Sequence, residues 1–75
     1  MRKKYYLITD LVHNKDYLYW QYDNTDILGA VVGFARKQDV DIKDLRVYSF
    51  ETKTKWEDYG RNNFHRIALW LCTCK

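Results

Sequence analysis

Two thiols two positions apart, Cys72 and Cys74 in "CTCK", and two imidazoles, His13 and His65, are the side chains best suited to hold a metal. Together they would make a Cys2His2 zinc set, but the C-x2-4-C and H-x3-5-H pairs that bring such ligands together are missing. Both cysteines continue an apolar run and read as small buried hydrophobes. Asp39, Asp41 and Asp44 suggest a calcium loop, yet no glycine makes the sharp turn and no closing glutamate follows. A solvated, charged connector accounts for them. His65 in "NNFHRIALW" could move a proton, but no second group stands at a readable spacing. The chain holds no glycine-rich phosphate loop, Ser-His-Asp pattern or paired-carboxylate constellation. The expectation is a protein without catalytic residues, cofactor or metal.

Aromatic rings interleaved with cations carry the stronger signal. "KTKWEDYGRNNFHR" sets Lys53, Lys55, Arg61 and Arg66 around Trp56, Tyr59 and Phe64. Rings stack on bases and cations follow phosphates, so a single-stranded nucleic acid is one candidate ligand. Glu57 and Asp58 lie inside the patch and would repel a phosphate backbone. Trp, Tyr and Arg are also the residues that dominate protein interfaces. A protein partner is therefore preferred to nucleic acid.

A second aromatic cluster lies in "DYLYWQYDNTD", where Tyr17, Tyr19, Trp20 and Tyr22 fall within six residues. The elements that must position these groups follow from periodicity. "KYYLITDLV" alternates as a strand, "HNKD" reads as a turn, and Tyr17 to Tyr22 forms a second strand, giving an antiparallel hairpin. From Asp26 the period changes to 3.6: Ile27, Val31 and Phe34 mark one helix face, with Asn24, Thr25 or Asp26 as cap. Gly29 and Gly33 suggest close approach of that helix to a neighbour. "DVDIKDL" is a charged connection, and "LRVYSFET" returns to strand character. In the last third, "FHRIALWLCTC" reads as a fourth strand. Trp56, Tyr59, Asn63, Ile67 and Trp70 also fit a helix, which Gly60 and the Asn62-Asn63 pair would interrupt.

The expected architecture is ββαββ, a small two-layer α+β domain over residues 1–75 with one helix on one face of an antiparallel sheet. Leu18 or Trp20, with Ile27, Val31 and Phe34, would form the core beneath the helix. A single helix leaves the other sheet face bare. The expected partner surface is Tyr17 and Tyr19 of the first hairpin together with Trp56, Tyr59, Arg61 and Arg66. An uncovered aromatic face also favours a homodimer.

Composition agrees with a single small domain. A chain of 75 residues buries only about 60–65% of its unfolded surface, and its aromatic fraction of 17% is the main resource for a core. There are 13 basic and 10 acidic residues, giving +3, and six of the basic residues lie in positions 46–75. Basic groups would speed encounter with a partner of acidic or mixed surface. No apolar run is long enough to span a bilayer, and "MRKKYYLITD" does not read as a signal peptide. The expected location is the cytoplasm, where the two cysteines stay reduced.

Across its whole length the chain, short and rich in Lys, Asn, Asp and Tyr and opening "MRKKYYLITDLVHNKDYLYWQYD", resembles the small early proteins of phages that infect Gram-positive bacteria. The resemblance is one of style and rests on no motif. It implies a non-catalytic polypeptide in the host cytoplasm that binds and disables a host protein of replication or transcription, such as a sliding clamp or polymerase.

Overall fold

The computed structural model describes residues 2–71. The candidate zinc ligands Cys72 and Cys74 lie outside the described residues. Strand β1 (Lys3–Asp10) and strand β2 (Lys15–Tyr22) pair antiparallel from Lys3 opposite Tyr22 to Asp10 opposite Lys15. The hairpin loop is Leu11–Asn14, two residues earlier than "HNKD". Asp10 fixes it there, because its Oδ1 accepts hydrogen bonds from the backbone N–H groups of Val12 (2.9 Å) and His13 (3.0 Å). Asn14 closes the turn at φ 57°, a left-handed conformation that Asn tolerates. Lys15 and Asp16 thereby join the strand.

Helix α1 (Ile27–Gln38) starts at Asp26, whose side chain accepts from the Leu28 N–H at 3.0 Å. It ends where Asp39 turns left-handed at φ 56°. Ile27, Val31, Phe34 and Ala35 form its inward stripe, as the spacing predicts. Gly29 and Gly33 do not. A Cβ built on either meets nothing within 4 Å, so neither glycine marks a close approach.

A 3-10 turn at Ile42–Asp44 leads into strand β3 (Leu45–Phe50), which pairs antiparallel with β1. Next comes an element absent from the expected order: helix α2 (Lys53–Asn62), capped by the Thr52 hydroxyl, which accepts from the Lys55 N–H at 3.2 Å. The helix runs through Gly60, which is buried. Asn63 ends it, both its backbone N–H (3.0 Å) and its side-chain Nδ2 (2.9 Å) donating to the Tyr59 carbonyl. A 3-10 turn at Phe64–Arg66 precedes strand β4 (Ile67–Leu71), which lies parallel to β2. Residues 53–71 are therefore helix and then strand, and the order is ββαβαβ.

The sheet order is β3-β1-β2-β4, an α+β arrangement whose sheet is antiparallel except at β4. Alternation divides the core in two. On one face Ile8, Tyr17 and Leu45 meet Val31 and Ala35 of α1, with Tyr19, Ile27, Phe34 and Val40 packed around them. On the other, Leu7 and Leu18 meet Trp56 of α2, with Tyr5, Trp20, Phe50, Tyr59 and Ile67 around them. The expected two-layer domain is a three-layer one. The second helix adds the third layer and partly covers the face expected to be bare, which removes the uncovered sheet face as a ground for a homodimer. The residues beneath α1 are Tyr17 and Tyr19, whereas Leu18 and Trp20 lie beneath α2. Of the crowded aromatics, Tyr17 and Tyr19 thus fill one core and Trp20 packs against the other across β2, while Tyr22 is exposed. Among the described residues, no helix is long and apolar enough to cross a membrane.

Candidate functional site: a cleft beside the second helix

Helix α2 covers its sheet face only in part. Between it and β3 lies a cleft of about 460 Å³, lined by Leu7 and Thr9 of β1, Asp16 of β2, Tyr48 and Phe50 of β3, Tyr59 of α2, and Arg66. Alternation places these strand residues together. Leu7 stands opposite Leu18 and Tyr48, and Thr9 opposite Asp16 and Arg46, all on the α2 face. Phe50 and Tyr59 form one wall, with ring centroids 5.8 Å apart. Tyr48, 54% exposed, forms the rim.

The polar end of the cleft is built on Asp16, which is fully buried. Its Oδ1 accepts from the Thr9 hydroxyl at 3.0 Å, and its Oδ2 from the Tyr59 hydroxyl at 2.6 Å. Arg66 approaches with Nη2 3.5 Å from Asp16 Oδ1 and 3.5 Å from Asn14 Oδ1. The guanidinium is loosely held: its Nε is buried without a hydrogen-bond partner among the described residues. Burial, reinforced by donation to Asp16, pushes the Tyr59 hydroxyl up to about 12. At neutral pH that phenol keeps its proton and holds it on Asp16. Both carboxylate oxygens are engaged as acceptors within the protein, which suits them to fixing the cleft's shape. Among the described residues, no group of three or more His, Cys, Asp or Glu could hold a metal ion.

Two of the six residues expected at a partner surface, Tyr59 and Arg66, meet in this cleft. The other four do not. Tyr17 is 7% exposed beneath α1, its ring edge-on to Phe34 at 4.5 Å. Tyr19 is half-buried on the same face and donates to Gln21 Oε1 at 3.0 Å. Trp56, 2% exposed, packs on Leu7 and Leu18 and donates from Nε1 to the Tyr6 carbonyl at 3.0 Å. Tyr17 and Trp56 are core residues, not exposed anchors, because each face of the sheet has a helix on it. Arg61 is exposed and paired with Asp58 at 2.7 Å, outside the cleft lining.

Thr9, Asp16, Tyr48 and Phe50 were not legible as site residues. Asp16 carried a usable signal: by the period of two it shares a face with Leu18 and Trp20, an ionisable group on an apolar face. Set against protein-family models, curated proteins and solved structures, the chain finds no match in any of the three.

Proposed function

We propose that the protein is a non-catalytic protein-binding module that uses the α2-side cleft as its partner surface, acting in the bacterial cytoplasm as an inhibitor of a host protein. The observation that carries this reading is the cleft's make-up. Three rings, Tyr48, Phe50 and Tyr59, surround a polar cluster whose carboxylate is already saturated by protein donors. Such a cleft offers apolar area and a cation to a side chain of a partner, with little rearrangement of its own. Arg66 and the neighbouring Arg46 favour a partner of acidic or mixed surface. The resemblance to small phage proteins suggests the partner class, a replication or transcription protein such as a sliding clamp or polymerase.

Nucleic acid is the second reading, because Arg46, two residues before exposed Tyr48 on the same face of β3, and Arg66 of the cleft lining could together follow a single strand. Capture from a Gram-positive bacterial lysate on immobilised protein, with Arg66→Ala as control, tests the proposal. A protein retained by the wild type and lost by the variant, with binding only weakly dependent on salt, is the expected result. Retention of nothing, or tight binding of a single-stranded oligonucleotide that falls steeply with salt, contradicts it.

A further inference from the structure

Strand β3 lies at one edge of the sheet, and the hydrogen bonds around it identify which backbone groups face outward. The Leu11 N–H donates to the Asp44 carbonyl at 3.0 Å, so these two residues extend the β1–β3 ladder as a hydrogen-bonded pair. Such pairs alternate along an antiparallel ladder. Arg46, Tyr48 and Phe50 therefore bond to β1, and Leu45, Val47 and Ser49 point their N–H and C=O groups away from it. An independent bond agrees, since the Leu45 N–H turns outward to the Ile42 carbonyl. Arg46 Nη1 caps the Leu45 carbonyl at 3.0 Å. Leu45 is thus satisfied on both sides. Among the described residues, Val47 and Ser49 are left with two outward donors and two outward acceptors.

We infer that β3 pairs antiparallel with β3 of a second copy about a two-fold axis at Tyr48, joining two sheets into one. In this register Val47 of each copy faces Ser49 of the other as a hydrogen-bonded pair. The four outward groups of one copy meet the four of its partner, and the Arg46 cap on Leu45 stays in place. Tyr48 faces the partner's Tyr48 as the closely spaced, non-hydrogen-bonded pair, and Arg46 faces the partner's Phe50, a cation beside a ring. Registers shifted towards the start of β3 fit less well. Centring on Val47 would require the groups of Leu45 that are already engaged, and centring on Arg46 would set two guanidiniums against each other. The edge carries no proline and no bulge, and its middle residues are exposed apolar ones, Val47 at 38% and Tyr48 at 54%, features that leave an edge open to pairing. Tyr48 also rims the cleft, so the pairing sets the clefts of the two copies side by side on one surface.

Sedimentation of the full chain across the micromolar range tests the inference. A concentration-dependent rise from the 9.2 kDa monomer to twice that mass is expected. Val47→Pro removes an N–H that bonds nothing among the described residues of one copy, at an edge position that accepts proline. It should keep the wild-type circular dichroism and weaken dimerisation by about tenfold or more. A wild type that stays at monomer mass throughout, including one that binds a foreign extended peptide along this edge, overturns the inference. So does a Val47→Pro variant that dimerises like the wild type. Hydrogen exchange decides without any variant: the Val47 and Ser49 amides should slow with rising concentration while those of Arg46 and Tyr48 stay constant. Equal response of all four, or none, overturns the pairing.

Discussion

The Tyr59 hydroxyl donates to Asp16 Oδ2 at 2.6 Å across 43 positions of sequence, tying the second helix to the second strand at the polar end of the cleft. The Tyr59→Phe substitution leaves that oxygen buried with no donor. A loss of about 1–3 kcal/mol in chemical denaturation is expected. The same bond has an alkaline signature. The Tyr59 hydroxyl titrates near 12 when folded, against the ordinary 10 when unfolded. The unfolded chain therefore loses this proton first, and stability falls as pH rises from 10 towards 12. Tyr17 and Tyr19, raised chiefly by burial, contribute to the same decline. Tyr59→Phe should make it shallower without abolishing it.

At the hairpin end, buried Asp10 holds a second polar cluster. Burial alone would raise its carboxyl, but the His13 side chain at 2.7 Å and the N–H groups of His13 and Val12 outweigh it, so the carboxyl titrates below its usual range. Because the folded value is the lower one, this stability is present above the ordinary carboxylate range near 3.8 and is lost as pH falls below it. His13→Ala should narrow that acid-range loss, read as a flatter unfolding midpoint between mildly acidic and strongly acidic solution.

Gly29 and Gly33 sit exposed in α1 with free space where a Cβ would go. Each Gly→Ala change should raise stability by about 1 kcal/mol through helix propensity. A thermal scan checks this, and a loss at either position would mean that α1 packs more closely than described.

The two cores respond in parallel to truncation. Phe34→Ala on the inward face of α1 and Trp56→Ala on that of α2 should cost about 2–5 kcal/mol each and lower the unfolding midpoint. In a chain this small, the Trp56 variant is expected to be largely unfolded at room temperature. A folded Trp56→Ala with unchanged midpoint would place α2 off the sheet.

Much of this fold was readable from periodicity. The alternation of Tyr5 to Asp10 and of Tyr17 to Tyr22, and the 3.6 spacing of Ile27, Val31 and Phe34, gave the hairpin and the first helix. The hairpin loop moved because Asp10 caps it with its own carboxylate, a local side-chain turn whose key residue lies outside "HNKD". The second helix was missed because Gly60 and the Asn62-Asn63 pair looked like interruptions. Asn63 is instead the cap that ends the helix, and Gly60 sits on its buried side. That single omission moved the partner surface. With the first helix expected over Leu18 and Trp20 and no second helix in the order, Tyr17, Tyr19 and Trp56 fell on the surface, and the groove between α2 and β3 did not exist. Asp16 was hidden for a related reason, since a carboxylate beside a turn reads as solvated until Thr9 and Tyr59 are brought to it.

Hydrogen exchange of the chain alone and saturated with the protein it captures tests the cleft as the partner surface most directly. The amides of Tyr59 to Arg66, at the cleft wall and its polar end, should slow on binding, while those of α1 stay as they are. Slowing confined to α1, or capture of no protein whose binding Arg66→Ala weakens, would contradict it.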